Sequence, residues 1–159
     1  MIPGMSLYTS IHVALSVAGI VAGFVVLAGL LKSRHPGGWT LLFLAATVAT
    51  SVTGFGFQRE QLLPSHIVGI ISLMFLMLAI LALYVFALAR PWRRIYVVCA
   101  VVSLYFNVFV LVVQAFLKVP ALHALAPTQG EPPFAIVQGL VLVAFIVLGT
   151  LAVKRFHPR

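Results

Sequence analysis

The side chains able to do chemistry in this chain fall into two groups. The first is His12, His66 and His123 with Arg59, Glu60 and Glu131, all near the ends of apolar stretches or in the breaks between them. Imidazoles and carboxylates together are the donor types of a zinc or copper site. They also suit a patch that responds to protons near neutral pH. Two histidines on different helices at similar depth would also serve in principle as axial ligands of a haem. No His-x-x-x-His or Glu-x-x-His pair occurs, so a metal held by His12, His66, His123 and Glu131 requires separate segments to converge. The competing reading is that each caps a helix end and faces lipid headgroups, as Ser65 before His66 suggests.

The second group is Ser103, Asn107 and Gln114, at spacings that share one face of a helix, with Gln138 at a similar depth on a later segment. A polar pocket or path would be lined by His12, His66, Asn107, Gln114 and Gln138, with the two glutamines near its mouth. The alternative is interhelical hydrogen bonding, typically about 0.6 kcal/mol per pair in a bilayer.

Several chemistries lack support. The chain has two Glu, no Asp and a single cysteine, Cys99. That leaves no aspartyl dyad, no Asp-rich magnesium site and no internal disulfide or cysteine metal cluster. No Walker motif or Gly-x-Ser-x-Gly element occurs. Thr53-Gly54-Phe55-Gly56 has no strand before it and reads as the end of a helix. No Lys, Arg or Glu lies well inside an apolar stretch, which argues against an ion- or proton-coupled carrier. No basic stripe with interleaved aromatics is present, so nucleic acid is not an expected partner.

The elements that must position these residues are set by composition. Of 159 residues, 63% are hydrophobic and 8% charged, against roughly 25% charged in a soluble domain. A small soluble fold has too much exterior to hide that apolar surface; a bilayer removes the problem. Five stretches approach or exceed the roughly 20 apolar residues that span hydrocarbon: 11–31, 39–57, 65–89, 95–117 and 134–153. Each must be helical, because unpaired backbone groups are costly there. The sequence therefore predicts one all-α domain over 1–159, a polytopic bundle of five transmembrane helices. No Lys or Arg precedes the first stretch, which reads as a retained anchor. Within the last break, Val119 to Ala126 has room for one interfacial helical turn.

Loop charge orients the bundle. Lys32, Arg34, Arg90, Arg93, Arg94, Lys154, Arg155 and Arg159 fall on one side, and only Arg59 and Lys118 on the other. Basic loops stay inside, so the N-terminus is expected outside and the C-terminus in the cytoplasm. The net charge of +8 then reads as orientation and contact with anionic headgroups. Gly19-x-x-x-Gly23, and Ala46, Thr50 and Gly54, are small-residue seams suited to close helix packing, within the bundle or across a homodimer.

The segments Thr53-Gly54-Phe55-Gly56-Phe57, Leu62-Leu63-Pro64-Ser65-His66-Ile67-Val68-Gly69 and Ala126-Pro127-Thr128-Gln129-Gly130-Glu131-Pro132-Pro133 resemble those of small bacterial inner-membrane proteins to which no activity is assigned. The resemblance covers the whole chain and implies a bacterial cytoplasmic membrane. A looser similarity, to small haem-binding four-helix membrane cytochromes, fails at the paired histidines those proteins carry within their spans.

Three functions follow as expectations. The first is a non-enzymatic accessory or interaction protein, without a cofactor, whose partners are lipid and another membrane protein or a second copy. The second is a small-solute or ligand protein with an outward-facing polar pocket. The third is a redox subunit with haem or quinone near His12 and His66.

Overall fold

Hydrocarbon-length apolar runs satisfy their own backbone groups only as helices, and each of the five forms one in the computed structural model, which describes residues 6–57 and 64–157. The elements are α1 (Leu7–Leu31), α2 (Gly37–Gly54), α3 (Pro64–Ile80, continued by a π-helical turn Leu81–Val85), α4 (Pro91–Lys118), the short α5 (Pro120–Leu125) and α6 (Pro132–Arg155). No strand occurs among the described residues. All but α5 are long and apolar enough to cross a membrane, and the protein is a multi-pass helical membrane protein.

Local chemistry sets the helix ends. Ser6 caps α1, its hydroxyl accepting from the Thr9 N–H at 3.2 Å. Proline opens α3, α4, α5 and α6, where its missing N–H costs nothing and its fixed φ suits the first turn. Ser65 therefore lies inside the first turn of α3 rather than at its cap.

The third span departs from the expected run to residue 89. Its helix widens at Leu81–Val85 and stops, and Ala87, Leu88 and Arg90 take positive φ values of 46°, 58° and 46°. Two backbone bonds close the turn: Leu88 N–H to the Ala82 carbonyl, and Ala89 N–H to that of Phe86, each 2.9 Å. Pro91 disfavours helical backbone at the residue before it. Phe86 then stacks flat on Trp92 with ring centroids 3.8 Å apart, pinning the turn to α4.

α4 sits at the centre of the bundle, against α1, α3, α5 and α6; α2 packs between α1 and α3. The Gly19–Gly23 seam is used inside the bundle. A Cβ on Gly19 would meet Thr47 Oγ1 at 3.1 Å, and one on Gly23 would meet Leu104 at 2.5 Å and Phe43 at 3.0 Å. Most of the buried core lies in one half of the molecule: Ala22 to Leu30 of α1, Thr40 to Thr47 of α2, Ser72 to Ala82 of the third span, Tyr96 to Leu104 of α4, and Phe145 to Phe156. α6 is the most peripheral span, presenting Ile136, Leu140, Val143, Ile146 and Val147 outward.

The better-packed half ends in the basic loops. Phe156 is fully buried there, 6.1 Å from Tyr96. Arg93 donates to the Phe156 carbonyl, and the His157 N–H donates to Ser33 Oγ at 2.8 Å. The chain just after α6 thus ties the α1–α2 connection to the start of α4. Lys32, Arg34, Arg90, Arg93, Arg94, Lys154 and Arg155 gather at this basic end, while Lys118 and Glu131 stand at the opposite one.

Candidate functional site

His12 lies in the second turn of α1 and reaches the far end of α2. Its Nδ1 is 2.8 Å from Thr53 Oγ1. That hydroxyl has one proton, and it donates to the Ala49 carbonyl at 2.7 Å. Carbonyls only accept, so Nδ1–H is assigned as donor to Thr53. Nε2 is then the acceptor of the neutral ring, the arrangement of an imidazole able to ligate a metal. The ring packs edge-on against Phe57, with centroids 5.0 Å apart. Tyr8 does the same at 5.1 Å while its hydroxyl donates to the Thr53 carbonyl. Gly56 permits this approach, since a Cβ there would collide with the Tyr8 hydroxyl.

His66 meets the same stretch of chain from α3. Its ring stacks on Phe55 at 5.7 Å, and Phe55 lies 3.3 Å from where a Gly69 Cβ would be. The segment Thr53 to Phe57 is the end of α2, as the sequence reads it, with the turn that follows; α1 meets this strap through His12 and α3 through His66. Thr53 and Tyr8 were not among the candidates; their only sequence signal is their place at span ends.

His123 stands apart on α5, exposed, with Nδ1 3.3 Å from the Phe116 carbonyl. Glu131 stands just before α6 with no side-chain bond to the helix; its carboxylate turns back to accept from the Thr128 hydroxyl at 2.9 Å. Partial desolvation pushes its carboxyl up. Hydrogen bonds from its own backbone N–H, from the Thr128 hydroxyl and N–H, and from Gly130 outweigh that and hold it below the ordinary carboxylate value. Among the described residues no three His, Cys, Asp or Glu side chains gather. Arg59 and Glu60 lie outside the described residues.

The interior amides are engaged between helices. Asn107 Nδ2 donates to the buried Thr47 Oγ1 at 3.1 Å, at the point where a Cβ on Gly19 would meet the same hydroxyl, so α1, α2 and α4 meet there. Ser103 bonds back to the Cys99 carbonyl of its own helix at 2.8 Å. Gln138 Nε2 donates to the Phe109 carbonyl at 3.1 Å, joining α6 to α4, while its Oε1 is buried without a partner. Gln114 is half-buried on α4. Beside it, Gln129 reaches the Val113 carbonyl at 2.9 Å, a tie between loop and helix that no spacing rule in the sequence signals.

The five pocket candidates therefore occupy distinct contacts: His12 and His66 on the two sides of the strap, Asn107 at the α1–α2–α4 junction, Gln138 between α4 and α6, and Gln114 beyond Asn107 on α4. Chemically, this arrangement supplies hydrogen-bond donors and acceptors at helix junctions. Compared with known proteins, the chain matches no family model, no curated protein and no solved structure.

Proposed function

We propose that this protein is a non-enzymatic accessory or interaction protein of a bacterial cytoplasmic membrane, with its N-terminus outside and its C-terminus in the cytoplasm. One observation carries the reading. Three polar side chains within the spans join helix to helix, His12 with Thr53, Asn107 with Thr47 and Gln138 with the Phe109 carbonyl. A catalyst instead aims such groups at a shared reacting position. The outward face of α6 supplies the apolar surface for a neighbouring membrane helix or for lipid. Photo-crosslinkers at Leu140 and Ile146, compared with one at Leu125, test it in intact membranes. Discrete adducts with one membrane protein or a second copy, confined to α6, are expected. A chain that crosslinks to nothing and turns over a substrate after purification overturns the reading.

A second reading, an outward-opening pocket for a small polar solute, is favoured by one feature. The core fills the basic half, whereas Asn107, Gln114 and Gln138 sit half-buried in the other, where Gln138 Oε1 has no partner. Thermal-shift measurements across small polar solutes test it. A solute whose stabilising effect disappears in Gln138→Leu supports the pocket; no solute-dependent shift removes it.

A further inference from the structure

The turn between the third span and α4 builds an open cavity of about 530 Å³ lined by Leu88, Arg90, Pro91, Arg93, Arg94 and His157. Arg90, Arg93 and Arg94 line one space, and among the described residues no carboxylate lines it with them. The chain has no Asp and two Glu; Glu60 lies outside the described residues, and Glu131 directly precedes the 24-residue α6, roughly 36 Å of helix away from the end where the cavity lies. Arg93 gives one N–H to the Phe156 carbonyl, which orients it and leaves its other donors available. The N-terminus of α4 also opens here with no side-chain cap; Pro91 has no N–H and that of Trp92 is taken by the Ala89 carbonyl, so the helix adds its positive dipole end.

We infer that this cavity binds the phosphate of an anionic phospholipid headgroup. Planar guanidinium forks match phosphate oxygens two at a time, a geometry that lysine lacks. The occupant is assigned to lipid because of the surroundings. Tyr84, Val85 and Phe86 are exposed immediately before the turn, giving acyl chains an apolar track that ends at the cavity. The stacked Phe86–Trp92 pair marks an aromatic boundary of the kind found at headgroup level.

The full-length protein, held in a neutral detergent, would be titrated calorimetrically with short-chain phosphatidylglycerol, short-chain phosphatidylcholine, and inorganic phosphate. One phosphatidylglycerol per chain is expected, with phosphatidylcholine and phosphate each weaker by about tenfold or more. Arg90 and Arg94 are exposed, so Arg90→Gln with Arg94→Gln preserves the helical circular dichroism spectrum and lowers affinity by about tenfold or more. Arg90→Lys with Arg94→Lys keeps the charge but still loses about threefold, because the fork geometry is gone. Lys154→Gln, a cation outside the cavity, changes affinity by less than about twofold. Unchanged binding in the folded double Gln variant, full binding in the double Lys variant, or equal binding of phosphatidylcholine overturns the site. Inorganic phosphate binding as tightly as the lipid overturns the lipid assignment.

Discussion

A buried polar side chain in a bilayer is worth what its partner supplies. Asn107 and Gln138 illustrate the difference. Asn107 satisfies the hydroxyl of Thr47, which is wholly buried. Gln138 adds a bond to a carbonyl within α4 and leaves its own Oε1 bare. Asn107→Leu is therefore expected to cost about 0.6 to 1.7 kcal/mol, while Gln138→Leu is near neutral, because it also removes an unsatisfied acceptor. Unfolding in mixed detergents measures both, and equal losses would contradict the assignment. Glu131 is the second residue-scale case. Its folded pKa lies below the ordinary 4.5, so its stabilising contacts are complete above that value. They are lost only as pH falls through the depressed folded value. The Thr128 amide resonance is expected to titrate with a midpoint below 4.5; a midpoint at or above it would show the hydrogen bonds do not hold.

At the scale of the helix, small residues decide how closely two backbones approach. Gly23 has Leu104 and Phe43 against the place a side chain would take, whereas nothing lies within 4 Å of one on Gly139. Alanine is a better helix former than glycine by about 0.8 to 1 kcal/mol. Gly139→Ala should thus stabilise by up to that amount. Gly23→Ala should instead destabilise by about 1 to 3 kcal/mol, as overpacking outweighs propensity. Thermal denaturation of the two variants should show opposite signs.

For the whole molecule, the arrangement of ends is the testable quantity. The Ser33–His157 bond places the α1–α2 connection and the chain after α6 together, and Thr128 lies at the opposite end beside Glu131. With the buried Cys99 first replaced by alanine, single cysteines at His35, Lys154 and Thr128 can be labelled in sealed inverted and right-side-out vesicles. His35→Cys and Lys154→Cys are expected to react with impermeant reagent from the cytoplasmic side, and Thr128→Cys from outside. Reaction of Lys154→Cys and Thr128→Cys from one side would contradict an odd number of crossings, and with it the proposed orientation.

The sequence alone determined that there are five long apolar helices and which loops carry the basic charge. Both are local properties: hydrocarbon thickness sets the length of a span, and backbone satisfaction sets its form, whatever the neighbours do. Tertiary structure decided the partners. Thr53 lies 41 residues from His12, and Thr47 lies 60 from Asn107. Pairings of that range depend on how each helix is rotated. α6 is apolar nearly all round, so its periodicity names no inward face, and lipid does not drive apolar faces together as water does. The third span stopped short of residue 89 because Pro91, the Ala82–Leu88 closure and the Phe86–Trp92 stack act together, and the Arg90, Arg93 and Arg94 cavity exists only once that turn has formed.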